Sequence, residues 1–212
     1  MRVKLEHLPA VFAEMQKVRE YLATYCEGAD KVPVSLDDIT VAIKELYEVE
    51  IETRIVPFNT TLLRGMIEIY EGRAVIYIDA ALNLQGTRYV FVKEACHIML
   101  LNAKNATKDP AKIIDYYVHN RPENDDGSHP DEIICEEVTK YAAAELLFPP
   151  SLREAAKAKI NAKTETLFTI GEKLLLPINL VEFVLADWYM DLSSKFRNDH
   201  PDKERFAAPA KK

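Results

Sequence analysis

The stretch Thr87-Arg-Tyr-Val-Phe-Val-Lys93-Glu94-Ala-Cys-His97-Ile-Met-Leu-Leu-Asn102 decides how this chain is read. It predicts a helix capped by Thr87 and running to about Asn102. Tyr89, Val90, Val92, Cys96, Ile98, Met99, Leu100 and Leu101 make that helix apolar on nearly every side. Such a helix is buried on more than one face. Lys93, Glu94 and His97 are therefore expected in the interior, where a charge needs a partner.

Upstream, Gly65-Met-Ile-Glu-Ile-Tyr70 and Ala74-Val-Ile-Tyr-Ile-Asp79 flank Glu71-Gly72-Arg73. Two β-rich runs around a short glycine-containing turn read as a hairpin. With the extended run Ile51–Phe58 they predict a small, mostly antiparallel sheet of about three strands. Before the sheet, Leu8, Val11, Phe12, Met15, Val18, Tyr21, Leu22 and Tyr25 recur at helical spacing, and Ser35 with Asp38 begins a second helix, to about Tyr47.

Downstream, residues 104–130 are polar, with a loop-like centre from Asn120 to Pro130 and one short element over 113–118. Their length and position between two helices make them a candidate lid. A helix from Asp131 to Phe148 is halted by Pro149-Pro150, and another spans Ser151 to about Lys163. Leu167 to Ser193 holds two short helical patterns around Pro177. The polar tail, 198–212, reads as disordered. Helices, then strands, then helices fit an α+β class rather than alternating α/β. We expect one domain over 1–197, with its core at about 35–150 and C-terminal helices at 151–197.

The chain has 212 residues, 27 basic and 34 acidic, so its net charge is 27 − 34 = −7. That balance does not favour non-specific binding to nucleic acid or anionic lipid, which takes clustered Lys and Arg. Leu174–Val181 hints at a helix–turn–helix, but with few basic residues nearby it reads as a core-closing helix pair. Cys26, Cys96 and Cys135 are scattered and form no CxxC, as a reducing compartment tolerates. The N-terminus has no signal-peptide apolar core, and no run approaches about 18 apolar residues. The sequence predicts a cytoplasmic protein with no membrane partner.

Lys93-Glu94-Ala95-Cys96-His97 has the spacing of HExxH with its first residue changed. In HExxH the two histidines, one helical turn apart, grip one zinc ion, and the glutamate acts as base on the metal-bound water. An ordinary lysine, with a pKa of about 10.4, is protonated and cannot ligate.

The later helix reads Glu136-Glu-Val-Thr-Lys-Tyr-Ala-Ala-Ala-Glu-Leu-Leu-Phe-Pro149. Here the chain resembles the ImmA/IrrE family of bacterial zincin-like proteins, which pair an HExxH helix with a later helix of pattern E-x-x-A-N-x-F-A-A-x-L-L-M-P. Glu136, Ala143-Ala144, Leu146-Leu147 and Pro149 match; Thr139, Lys140, Ala142 and Phe148 depart from the pattern. The hairpin and the Asn83, Gln85 and Arg88 approach also look like the family, over roughly residues 35–150. The resemblance implies a zincin-like fold, His97 and Glu136 as metal ligands and Glu94 as the catalytic base. Lys93 stands at the lost first-ligand position. The family is associated with metal-dependent cleavage of repressor-type transcription factors, often in phage, mobile-element or stress circuits.

Two readings stay open. In one a zinc ion is retained by His97, Glu136 and a substitute drawn from His119, His129 or Cys135, and the protein is a metallo-endopeptidase acting on a transcriptional regulator. In the other the site is metal-free: Lys93 replaces the ion, and the protein is a pseudo-peptidase that binds a protein or peptide partner, such as a transcriptional repressor, without cutting it.

Overall fold

The computed structural model describes residues 8–26, 33–59, 63–100 and 131–196. Helix α1, Leu8–Tyr25, buries the stripe Leu8, Val11, Phe12, Met15, Val18 and Leu22, the three- and four-residue spacing of one helical face. Helix α2, Leu36–Tyr47, starts where the Ser35 side chain accepts from the Asp38 backbone N–H. Asp37 and Asp38 place negative charge at its positive end, and Glu48 stops it in the left-handed conformation.

Three strands follow: β1, Glu50–Val56; β2, Gly65–Tyr70; and β3, Arg73–Asp79. Strands β2 and β3 form the expected antiparallel hairpin, turned at Gly72 with φ 68°. The sheet order is β1-β3-β2, and β1 pairs with β3 in parallel, so the sheet is mixed. Strand β2 therefore lies on the side of β3 away from β1. Ala74, Ile76 and Ile78 of β3 are buried against the helices. The opposite face is a lattice of polar contacts: Arg73 donates to Glu52 at 2.9 Å and Tyr77 to Glu68 at 2.8 Å.

Helix α3, Leu84–Leu100, is the predicted central helix, but it begins three residues before the predicted cap. Asn83 caps it, its side-chain oxygen accepting from the Gly86 backbone N–H at 2.8 Å. The Asn carboxamide competes better for this place than the Thr87 hydroxyl. From Arg88 onward the helix is buried on more than one face as expected, with Val90, Val92, Ala95, Cys96 and Met99 in the core beside Arg88, Glu94 and His97. Gly65 of β2 lets it sit close: a Cβ there would lie 2.3 Å from Val90 Cγ1 and 3.1 Å from Glu94 Oε1.

Helix α4, Asp131–Leu147, packs along α3. Then come α5, Pro150–Asn161; α6, Leu167–Leu174; α7, Ile178–Leu185; and α8, Asp187–Phe196. Where two helical patterns are predicted over 167–193, there are three helices. Ala186 alone separates α7 from α8, and the apolar spacing runs through it without a proline or glycine to mark the break. Helices α6 and α7 contribute Ile170, Leu174, Leu180, Val181 and Val184 to the core, as a core-closing pair does. Among the described residues no helix is long and apolar enough to cross a membrane.

A buried polar cluster ties α4, α5 and α8 together. Glu145 Oε1 accepts from Arg153 Nη1 at 2.8 Å, from the Tyr189 hydroxyl at 2.9 Å and from Ser193 Oγ at 2.9 Å. Arg153, 1% exposed, also donates to the Phe148 carbonyl at 2.9 Å. The candidate lid at 104–130, the element at 113–118 and the tail at 198–212 lie outside the described residues.

Candidate functional site

Positions 93 and 97 lie one turn apart on α3, so their side chains share a face. That face meets α4 at Glu136. Lys93 Nζ donates to Glu136 Oε2 at 2.5 Å and to Glu94 Oε1 at 3.2 Å. His97 Nε2 lies 3.2 Å from Glu136 Oε1 and 3.8 Å from Glu94 Oε2. It is within ion-pair distance of Glu136 but off the hydrogen-bond direction, and it is buried without a hydrogen-bond partner. The other ring nitrogen, Nδ1, faces Cys135 Sγ at 3.4 Å. The structure thus brings together Lys93, Glu94, His97, Cys135 and Glu136. His119 and His129 lie outside the described residues.

Charge sets the protonation of the group. Burial works against the Lys93 ammonium, but Glu94 and Glu136 outweigh it and hold the lysine protonated far above its ordinary range. Burial also works against His97, yet its contacts with Cys135 and Glu136, and the nearby Glu94, raise it to about 10. Burial would lift Glu136, but Lys93 and His97 pull it well below the usual carboxylate range. Tyr89, one turn before Lys93, is pushed up to about 12, chiefly by burial. Lys93 and Glu136 keep 19% and 17% of their side-chain surface, so the cluster reaches solvent on one side.

These residues do not fit a bound metal ion as they stand. A protonated lysine offers no lone pair, and its ammonium is bonded to both carboxylates an ion would need. Cys135 is no substitute ligand: it sits on the Nδ1 side of His97, while the carboxylates sit on the Nε2 side, and one ion cannot lie at both nitrogens. Among the described residues no three His, Cys, Asp or Glu side chains form a metal-binding group. What the cluster does provide is a fixed ammonium at the seam of two helices. Lys93 so held is neither a base nor a nucleophile, and Glu94 is committed to it.

Sequence reasoning missed Gly65, whose lack of a side chain admits Glu94 to the edge of the sheet. Its signal was a glycine opening a strand otherwise built of large residues. Fold and cluster together define an α+β protein with an internal charge cluster between two packed helices. No protein-family model and no curated protein matches the chain.

Proposed function

We propose that this chain is a regulatory protein with an ImmA/IrrE-like, zincin-type architecture that binds a partner protein without cutting it. The partner class implied by the resemblance is a repressor-type transcriptional regulator. One observation carries this reading: the Lys93 ammonium bridges Glu94 and Glu136, where a peptidase of this type would need an ion. Strand addition is the binding mode we favour. Within the described sheet β2 is paired on one side only, and its first residue, Gly65, abuts Glu94. An extended segment pairing with such an edge gains main-chain hydrogen bonds, while side-chain pockets select its sequence.

A second reading, metal-dependent proteolysis with Glu94 as base, is favoured by the way His97 Nε2 faces both carboxylates, 3.2 Å from Glu136 Oε1 and 3.8 Å from Glu94 Oε2. Elemental analysis separates the two, on protein purified without a metal-affinity tag, for wild type and His97→Ala. The non-catalytic reading expects neither to carry a stoichiometric divalent metal. Near-stoichiometric zinc in wild type, lost in the variant, would overturn it and restore the peptidase.

A further inference from the structure

Strand β1 forms the other edge of the sheet, and its free side meets no other described strand. The Glu50 N–H donates to the Gly72 carbonyl at 3.0 Å, and the Val56 carbonyl accepts from the Ala80 N–H at 2.9 Å. Along a strand the backbone groups of successive residues point to opposite sides. Glu50, Glu52, Arg54 and Val56 therefore turn theirs to β3, and Ile51, Thr53 and Ile55 turn theirs outward. Among the described residues no backbone group bonds to those outward groups. Ile55 stands opposite Ile78 in the ladder, on the helix face of the sheet, yet it is 57% exposed. Such an edge is a template for another strand.

We infer that β1 pairs, antiparallel, with β1 of a second copy of this chain, with Thr53 on the two-fold axis. The strand Glu50-Ile-Glu-Thr-Arg-Ile-Val56 is complementary to itself about that residue. With Thr53 facing its own copy, Ile51 faces Ile55 of the second copy, and every outward N–H and C=O of Ile51, Thr53 and Ile55 finds a partner. Glu52 then faces Arg54 of the second copy, in the pairs whose side chains come closest. Arg54 already donates to Glu52 of its own strand at 2.6 Å, so the pairing closes a ring of alternating charge. The exposed Ile55 gains Ile51 of the second copy, which packs against the core there. The two neighbouring registers that keep outward groups paired are opposed by charge: one sets Glu52 against Glu52, the other Arg54 against Arg54. An edge guarded against pairing carries charges that repel a copy, often lysine. Here the charges are opposite and mirrored about the centre. A two-fold contact of this kind closes on itself and stops at a dimer. It is independent of the partner-binding reading, because it joins the two sheets through β1 and leaves both β2 edges open.

The test is sedimentation equilibrium on the full chain over a concentration series, for wild type, Arg54→Glu, Glu52→Arg and Thr53→Pro, with melting curves to check that each folds. Wild type is expected to reach twice the mass of one chain. Arg54→Glu and Glu52→Arg should each weaken association by about tenfold or more, because each sets like charges opposite one another. Mixed in equal amounts, these two variants should pair with each other, since every charge then faces its opposite. Thr53→Pro removes only an outward N–H, so it should weaken association while its Tm stays near that of wild type. If a charge variant does not fold, Thr53→Pro decides alone. Wild type that keeps the mass of one chain at about 1 mM overturns the inference. So does a dimer that survives Thr53→Pro unchanged, or a pair of folded charge variants that stay apart when mixed.

Discussion

Helix α4 carries two interior charge clusters, one at Glu136 and one at Glu145, and they are built differently. At Glu145 one carboxylate oxygen accepts three hydrogen bonds, from Arg153, Tyr189 and Ser193. Arg153 and Glu145 are sealed at 1% and 3% exposure. At Glu136 the cluster has two carboxylates, an ammonium and an imidazole, and opens to solvent on one side, with His97 Nε2 ion-paired to Glu136 at 3.2 Å. Arg153 leaves Nη2 without a hydrogen bond, and Arg19 Nη1 stands 4.0 Å from the other oxygen of Glu145. Burial of charge is common to both. Solvent access makes the Glu136 cluster the candidate site, and the sealed network makes the Glu145 cluster a fastening.

If that distinction holds, the fastening matters more to stability. Arg153→Met is expected to cost about 3 kcal/mol in denaturant unfolding, because it removes the buried cation that donates to Glu145 and leaves only Arg19 Nη1, 4.0 Å from the other carboxylate oxygen. Adding Glu145→Gln should recover part of the loss, the two residues being directly coupled. A cost near zero would break the comparison.

Gly65→Ala comes next, at roughly 2 kcal/mol for forcing a Cβ against Val90. Val90→Ala in the same chain should relieve it, whereas an equal loss in both backgrounds would mean that α3 does not press on β2 there.

Lys93→Met should cost about 1–2 kcal/mol, less than Arg153→Met, since Glu136 keeps 17% of its side-chain surface and can reach water. A larger loss than that of Arg153→Met would reverse the two assignments.

The pH dependence of stability is a separate signature of the Glu136 cluster. His97 is raised from 6.5 to about 10, so the stability it contributes is complete below pH 6.5 and is lost as pH rises through about 10. Glu136 is depressed from 4.5 to about 2, so its contribution is present above pH 4.5 and is lost as pH falls towards 2. Melting curves across pH should show the alkaline loss in wild type and not in His97→Gln. The same slope in both would detach His97 from the effect.

Much of this was legible in the sequence for a physical reason: period and turn chemistry are local. The all-round apolar pattern of 87–102 gave α3, Glu71-Gly72 gave the hairpin, and Pro149-Pro150 gave the end of α4. The grouping of Lys93, Glu94 and His97 with Glu136 was readable because two of these positions share a helical face and the family pattern supplied the fourth residue. The parallel pairing of β1 was not readable from its own residues, since a strand does not encode which side of its neighbour it joins. The unbroken apolar run Ala74–Ile78 was the available sign that β3 is central. The Glu145–Arg153 pair was missed because it depends on how α5 leaves α4 after Pro149-Pro150, and its other partners, Tyr189 and Ser193, because they depend on α8 returning to α4. A lone glutamate within Ala142–Phe148 was its trace. The Cys135 side of His97 could not be read either, because sequence spacing does not say which ring nitrogen a neighbour meets.

Glu136 and Glu145 sit on one unbroken rod. The near end of α4 is held to α3 by Lys93, and the far end is bolted to α5 and α8 through Arg153, Tyr189 and Ser193. A partner bound at the Lys93 end, as proposed above, would meet a helix tied at both ends, so that bending it would also disturb the Glu145 joint. Recognition on such a surface selects among shapes instead of moulding to them, and little ordering entropy is lost on contact.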